Sequence, residues 1–146
     1  MFRHVYNLSG GRPLILEFTM KDTETLTEGD LLNLETGEVD LAATNDTAFV
    51  GVLLGAKEPA SYSTTNRAQI AGVDSTTEVK AVVNEDAVYG VADANARVAG
   101  VNLDITGATG AQTVAAASNN DFLTIVGKSA AEDTLVIIAP GEHYLR

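Results

Sequence analysis

The chain has 146 residues, no cysteine and no tryptophan, and a formal net charge of −11. That length suits one domain with a real core, and the missing cysteines exclude disulfides, thiolate nucleophiles and cysteine-held metals. Nine basic residues, scattered singly, set the acidic chain against nucleic acids and anionic membranes, where binding depends on lysine and arginine displacing counterions.

Residues 1–13 read as an N-terminal arm. Gly10-Gly11 and Pro13 break any regular element, yet Phe2, Val5, Tyr6 and Leu8 are apolar and call for a surface to pack on. That surface is either the chain's own domain or a neighbour. From Leu14 to Lys21 the pattern alternates, with Leu14, Leu16, Phe18 and Met20 on one face, as in a half-buried strand. Thr27-Glu28-Gly29-Asp30 is a turn. Residues 30–42 form a hairpin about Glu35-Thr36-Gly37-Glu38, where Gly37 can take positive φ without steric cost.

Ala48 to Gly55 is apolar on both faces and predicts a central strand, with a bulge or close backbone approach at Gly51. Residues 56–67 are polar and aperiodic, which predicts a long exposed loop or an extension. Strands follow at Ala68–Val73, Glu78–Val83 and Ala87–Ala92, the last with a second bulge or close backbone approach expected at Gly90. Asp93 to Arg97 reads as a short helical turn. Leu103–Thr106, Phe122–Gly127 and Thr134–Ala139 complete the strands. Glycine turns lie at 107–110, a polar turn at 129–133 and a stop at Pro140-Gly141. No segment of ten residues keeps a 3.6 period. Short strands at this spacing predict an all-β fold, a small antiparallel barrel or open flared barrel, with residues 14–146 as a single β-barrel domain behind the extended arm.

Two echoes run through this pattern. Asn45-Asp46-Thr47-Ala48-Phe49-Val50-Gly51-Val52 returns as Asn84-Glu85-Asp86-Ala87-Val88-Tyr89-Gly90-Val91. Thr36-Gly37, Leu41-Ala42-Ala43 and Phe49 return as Thr109-Gly110, Val114-Ala115-Ala116 and Phe122, at a constant offset of 73. Duplicated units and the shared grammar of antiparallel ribbons both produce such echoes.

The search for chemistry is nearly empty. His4 and His143 lie close to the two ends, poor scaffolds for a catalytic base. There is no Gly-x-Ser-x-Gly elbow, and Gly107-x-x-Gly110 lacks the spacing and lysine of a phosphate loop. Asp93-Ala94-Asn95-Ala96-Arg97 opens like a calcium loop and fails at its fifth position, an arginine, and at its sixth, Val98, where glycine is required. Asn7-Leu8-Ser9 and Asn45-Asp46-Thr47 are chance sequons. The expectation is no catalytic residue, no cofactor and no metal. A carboxylate-based ligand-binding barrel needs several of Asp30, Asp46, Asp86, Asp104 and Asp121 in one pocket, against the simpler reading that these are hairpin-turn residues. The longest wholly apolar run, Leu135–Ala139, is far short of the roughly 20 residues of a membrane helix, and the N-terminus lacks a signal-peptide pattern, so synthesis in the cytoplasm is expected.

The phrase running from Thr27-Glu28-Gly29-Asp30 through Thr36-Gly37-Glu38-Val39 to Asp46-Thr47-Ala48-Phe49-Val50-Gly51-Val52 resembles the capsid decoration (cement) proteins of tailed bacteriophages. So do Asp86 to Ala92, Val101-Asn102-Leu103-Asp104, Ser118-Asn119-Asn120-Asp121-Phe122 and Leu135-Val136-Ile137. The likeness is one of cadence and spans residues 14–139. It implies a non-enzymatic β-barrel on the outer surface of a virion, a homo-oligomer (often a trimer) that bridges major capsid subunits. It also implies an arm that adds to a neighbour's sheet, and here Phe2, Arg3, Val5 and Tyr6 are the expected partner contacts by position and composition. Other expectations are a fibre or tail subunit and the carboxylate-lined module above.

Overall fold

The computed structural model describes residues 1–44, 46–66, 68–73, 76–93, 95–116, 122–128, 133–139 and 141–145, without the Asp133 side chain. Asn45, Arg67, Ala94, Ser118 to Asp121, the 129–132 turn and Pro140 lie outside the described residues. The fold is all-β. Its strands are β1 (Phe2–Asn7), β2 (Ile15–Met20), β3 (Thr25–Thr27), β4 (Leu31–Glu35), β5 (Glu38–Leu41), β6 (Phe49–Ala56), β7 (Gln69–Ala71) and β8 (Glu78–Val82). After these come β9 (Ala87–Ala92), β10 (Asn102–Thr106), β11 (Thr113–Ala116), β12 (Leu123–Lys128) and β13 (Asp133–Ile138).

Five strands close a barrel in the order β2-β5-β4-β6-β8. This is the small barrel expected from the sequence: four of its pairings are antiparallel, and β2 and β5 run parallel through Thr19↔Glu38 and Met20↔Val39. An odd number of strands forces this: alternating directions around a ring of five leaves one like-directed pair. The remaining long strands form a sheet in the order β1-β9-β13-β12-β10-β11, and β3 pairs β7 as a short ribbon. Nine strands answer to segments read from the sequence. β1, β3 and β11 do not, and β7 keeps only the middle of the stretch expected at 68–73.

Alternation on the barrel wall makes two cores. Leu32, Val50, Leu53, Val79 and Ala81 point inward with Met20, Val39, Leu26 and Ile70 to fill the barrel. Leu31, Phe49, Val52 and Val82, from the same strands, face outward. There they pack against Tyr89, Val91, Leu103, Ile105, Leu123, Ile125 and Val136 of the sheet. Strands β4, β6 and β8 are therefore apolar on both faces, which is why residues 48–55 lack a period of two.

Gly51 is a bulge, as expected. The ladder slips between Leu32 and Asn33, φ is +147°, and a Cβ there would overlap the Val82 carbonyl oxygen. Gly90 is not a bulge. It stays in register with Arg3 and Leu135, and the irregularity lies on the opposing strand, between His4 and Tyr6. The two copies of the repeated phrase meet nonetheless, because the Tyr89 hydroxyl donates to that same Val82 carbonyl at 3.2 Å.

The second echo is architectural. Thr36-Gly37 turns β4 into β5 and Thr109-Gly110 turns β10 toward β11, with Gly37 and Gly110 both at positive φ. The next strand, β6 or β12, then returns to the far side of the first. Phe49 and Phe122, 73 positions apart, stack with ring centroids 4.9 Å apart in the shared core.

Two further expectations are corrected. No helical turn is present among the described residues of 93–97; Asp93 instead caps its own loop by accepting from the Asn95 backbone and side chain and from Arg97. The β2 alternation also buries only its C-terminal half: Met20 is buried and Phe18 partly so, while Leu14, Ile15 and Leu16 are exposed.

Candidate interaction surface

The expected arm is, over Phe2–Asn7, the edge strand of the six-stranded sheet, paired antiparallel with β9. Phe2 is only 2% exposed and belongs to the shared core. Of the two surfaces expected for the arm, Phe2 packs on the chain's own domain. The Phe2 N–H donates to the Gly29 carbonyl at 2.9 Å, and the Met1 amino group donates to the Gln112 carbonyl at 2.7 Å. Arg3, Val5 and Tyr6 lie on the exposed side, Tyr6 at 42%.

The buried end of this region is fixed by two polar side chains. The Asp30 carboxylate is fully buried and accepts from the Thr27 N–H (2.8 Å), the Thr109 hydroxyl (2.6 Å) and the Gly110 N–H (2.8 Å). Gln112, also fully buried, accepts from the Leu31 N–H and donates to the Ala42 carbonyl at 2.8 Å. Barrel and sheet are thus cross-linked by hydrogen bonds at residues that a sequence reading assigns to turns. Sequence offers one faint signal here: a glutamine just ahead of an apolar strand.

Exposed apolar side chains concentrate nearby. Met1, Val5, Tyr6, Leu8, Leu14, Ile15 and Leu16 all come from the first sixteen residues, and Leu54 joins them from β6. Met1, Ile15 and Leu54 line one groove of about 480 Å³ with Phe2, Arg3, His4, Pro13 and Glu28. One wall is the edge of β1; the floor is the outer face of the barrel. Sequence reasoning found β1's side of this groove and missed the barrel side. Leu54, which lines it, falls in a stretch whose sequence reads as apolar on both faces and central.

The other candidates are dispersed. Asp46 and Asp86 line separate recesses, Asp30 and Asp104 are buried, and Asp121 lies outside the described residues. Burial raises the Asp46 carboxyl, with Asp40 and Glu35 adding to the effect, whereas hydrogen bonds from Ser9 lower that of Asp86. His4 packs edge-on against Tyr89 and bonds Asn7, while His143 is buried beside Tyr144. Among the described residues no three His, Asp or Glu side chains gather as a metal site, and no helix is long and apolar enough to cross a membrane.

The 56–66 stretch, expected as part of a long exposed loop or an extension, is exposed at 58–60 and 64–66 and is tied down at Tyr62. A single 3-10 turn spans Pro59–Ser61, and the Tyr62 hydroxyl donates to Glu28 while accepting from the Ala56 N–H. No family model matches the chain, and no curated protein or solved structure matches it either.

Proposed function

We propose that this chain is a structural subunit of a phage virion. In this reading it is a homo-oligomer, a trimer in the first instance, that decorates the outer capsid surface and bridges major capsid subunits, with no catalytic role. The observation that carries the reading is that seven of the twelve exposed large apolar side chains among the described residues come from the first sixteen residues, with Leu54 beside them, while Val73, Val98, Val101 and Leu145 are exposed elsewhere in the chain. Grouped apolar exposure is the mark of an interaction surface. The cadence of the Gly-Asp and Thr-Gly turns, shared with decoration proteins, supports the same reading.

The energetics are those of weak contacts repeated many times. Burying the exposed half of a side chain such as Ile15 or Leu54 contributes about 1 kcal/mol, too little for one site to hold alone. Contacts made together by one oligomer on a lattice of equivalent sites add as avidity. The acidic surface fits an exterior position, where it keeps particles apart.

The test is co-sedimentation of purified protein with expanded shells, followed by their melting. Binding at a fixed stoichiometry and a raised shell melting temperature are expected. Absence of binding overturns the decoration role, and filaments formed by the protein alone point to a fibre or tail subunit.

A further inference from the structure

Decoration proteins are expected to donate an arm to a neighbour, but here the arm is already housed. Phe2 lies in the core, and β1 is hydrogen-bonded to β9 along one edge. The other edge of β1 faces the apolar groove. Pairing in an antiparallel ladder alternates, so successive residues direct their N–H and C=O groups to opposite sides. The Phe2 N–H goes to Gly29, away from β9. Arg3, opposite Gly90, therefore bonds β9, and His4, opposite Tyr89, directs its N–H and C=O away from β9, as Phe2 does its C=O. The ladder slips between His4 and Tyr6, which ends this free edge after three residues.

We propose that the β1 edge at Phe2–His4, with the groove floor of Ile15, Leu54 and Val82, is an acceptor for a short extended strand supplied by a partner protein. The proposal rests on the assembly reading for the identity of the donor, a capsid subunit; the acceptor role stands on geometry. With the Phe2 N–H taken by Gly29, the Phe2 C=O and the His4 N–H and C=O remain beside the apolar floor, and they fit an extended backbone with alternate apolar side chains. A groove of about 480 Å³ holds a few residues and not a second folded domain.

The probe is a blocked pentapeptide of alternating threonine and valine, titrated into the full chain and followed by amide and methyl NMR. The control carries proline at its centre, which removes the donor and the extended pairing. Saturable shifts of the His4 amide and of the Ile15 and Leu54 methyls are expected at millimolar peptide, with the proline control at least tenfold weaker. Leu54→Asp, an exposed position whose change leaves both cores intact, is expected to weaken binding about tenfold.

No shift at His4, equal binding of the control, or shifts confined to the β11 edge overturns the proposal. So does a His4 shift that follows protein concentration without peptide, which would assign the groove to a second copy. Peptide binding without shell binding leaves the acceptor standing and removes the capsid subunit as donor. Shell binding that Leu54→Asp leaves unchanged removes the groove from docking and keeps the decoration role.

Discussion

The barrel and the six-stranded sheet share one strand order and differ at a single seam. Read as β5-β4-β6-β8-β2 and β11-β10-β12-β13-β9, the two halves match strand for strand. In the first, β2 meets β5 and the ring closes around its own side chains. In the second, β1 occupies the free edge of β9, and the Thr113 hydroxyl, donating to the Ala92 carbonyl, reaches across from β11. The open half then covers its concave face with the outer wall of the closed half. One pattern of turns can therefore give a self-sufficient barrel or a sheet that depends on a neighbour, according to what occupies one edge.

The dependence is strongest at the stack of Phe49 on Phe122, one ring from each half. Phe49→Ala is expected to cost about 3–5 kcal/mol and to lower the melting temperature by roughly 8–15 °C in calorimetry. Phe122→Ala should cost a similar amount, and the double variant less than the sum, by about 1 kcal/mol. Additive losses would mean that the halves do not communicate through this pair.

A smaller effect is expected at the buried carboxylate between the halves. Asp30→Ala strands the Thr27 and Gly110 N–H groups and should cost about 2–3 kcal/mol by denaturant titration. Unchanged stability would show that water replaces the carboxylate and that the cross-link is dispensable.

The smallest effect is confined to the open half. Burial pushes the Asp93 carboxyl up, but hydrogen bonds from Arg97 and Asn95 outweigh it and hold the group at about 2. A carboxyl depressed on folding stabilises above its unfolded value, near 3.8, and that gain is lost as pH falls from about 4 to 2. The loss should be about 1 kcal/mol, allowing for solvent screening, and should vanish in Asp93→Asn. An unaltered acid profile in that variant would remove Asp93 from the balance.

Where a residue's role was local, the sequence showed it. Thr36-Gly37 and Thr109-Gly110 announced their turns because a left-handed residue at a tight connection selects glycine, and Gly51 announced its bulge for the same reason. β1 was hidden because glycines and a proline follow it and its buried residues, Phe2 and Asn7, are five apart. β11, Thr-Val-Ala-Ala, has too little side chain to advertise a strand. Gly90 carries no bulge because its similar phrase lies in a regular ladder, where the neighbouring strand takes up the slip.

The amino-acid order alone determined an all-β chain of short ribbons, its main turns and the 73-residue echo, since backbone preference and two-residue periodicity act over a few neighbours. Only the tertiary structure decided which ribbon closed a ring, that Phe2 is core while Ile15 and Leu54 are surface, and that Asp30 and Gln112 bind one half to the other. Those outcomes depend on which edges and faces meet across distant positions, from Thr19 beside Glu38 at the ring's seam to the Gln112 to Ala42 bond between the halves, and no local pattern encodes them.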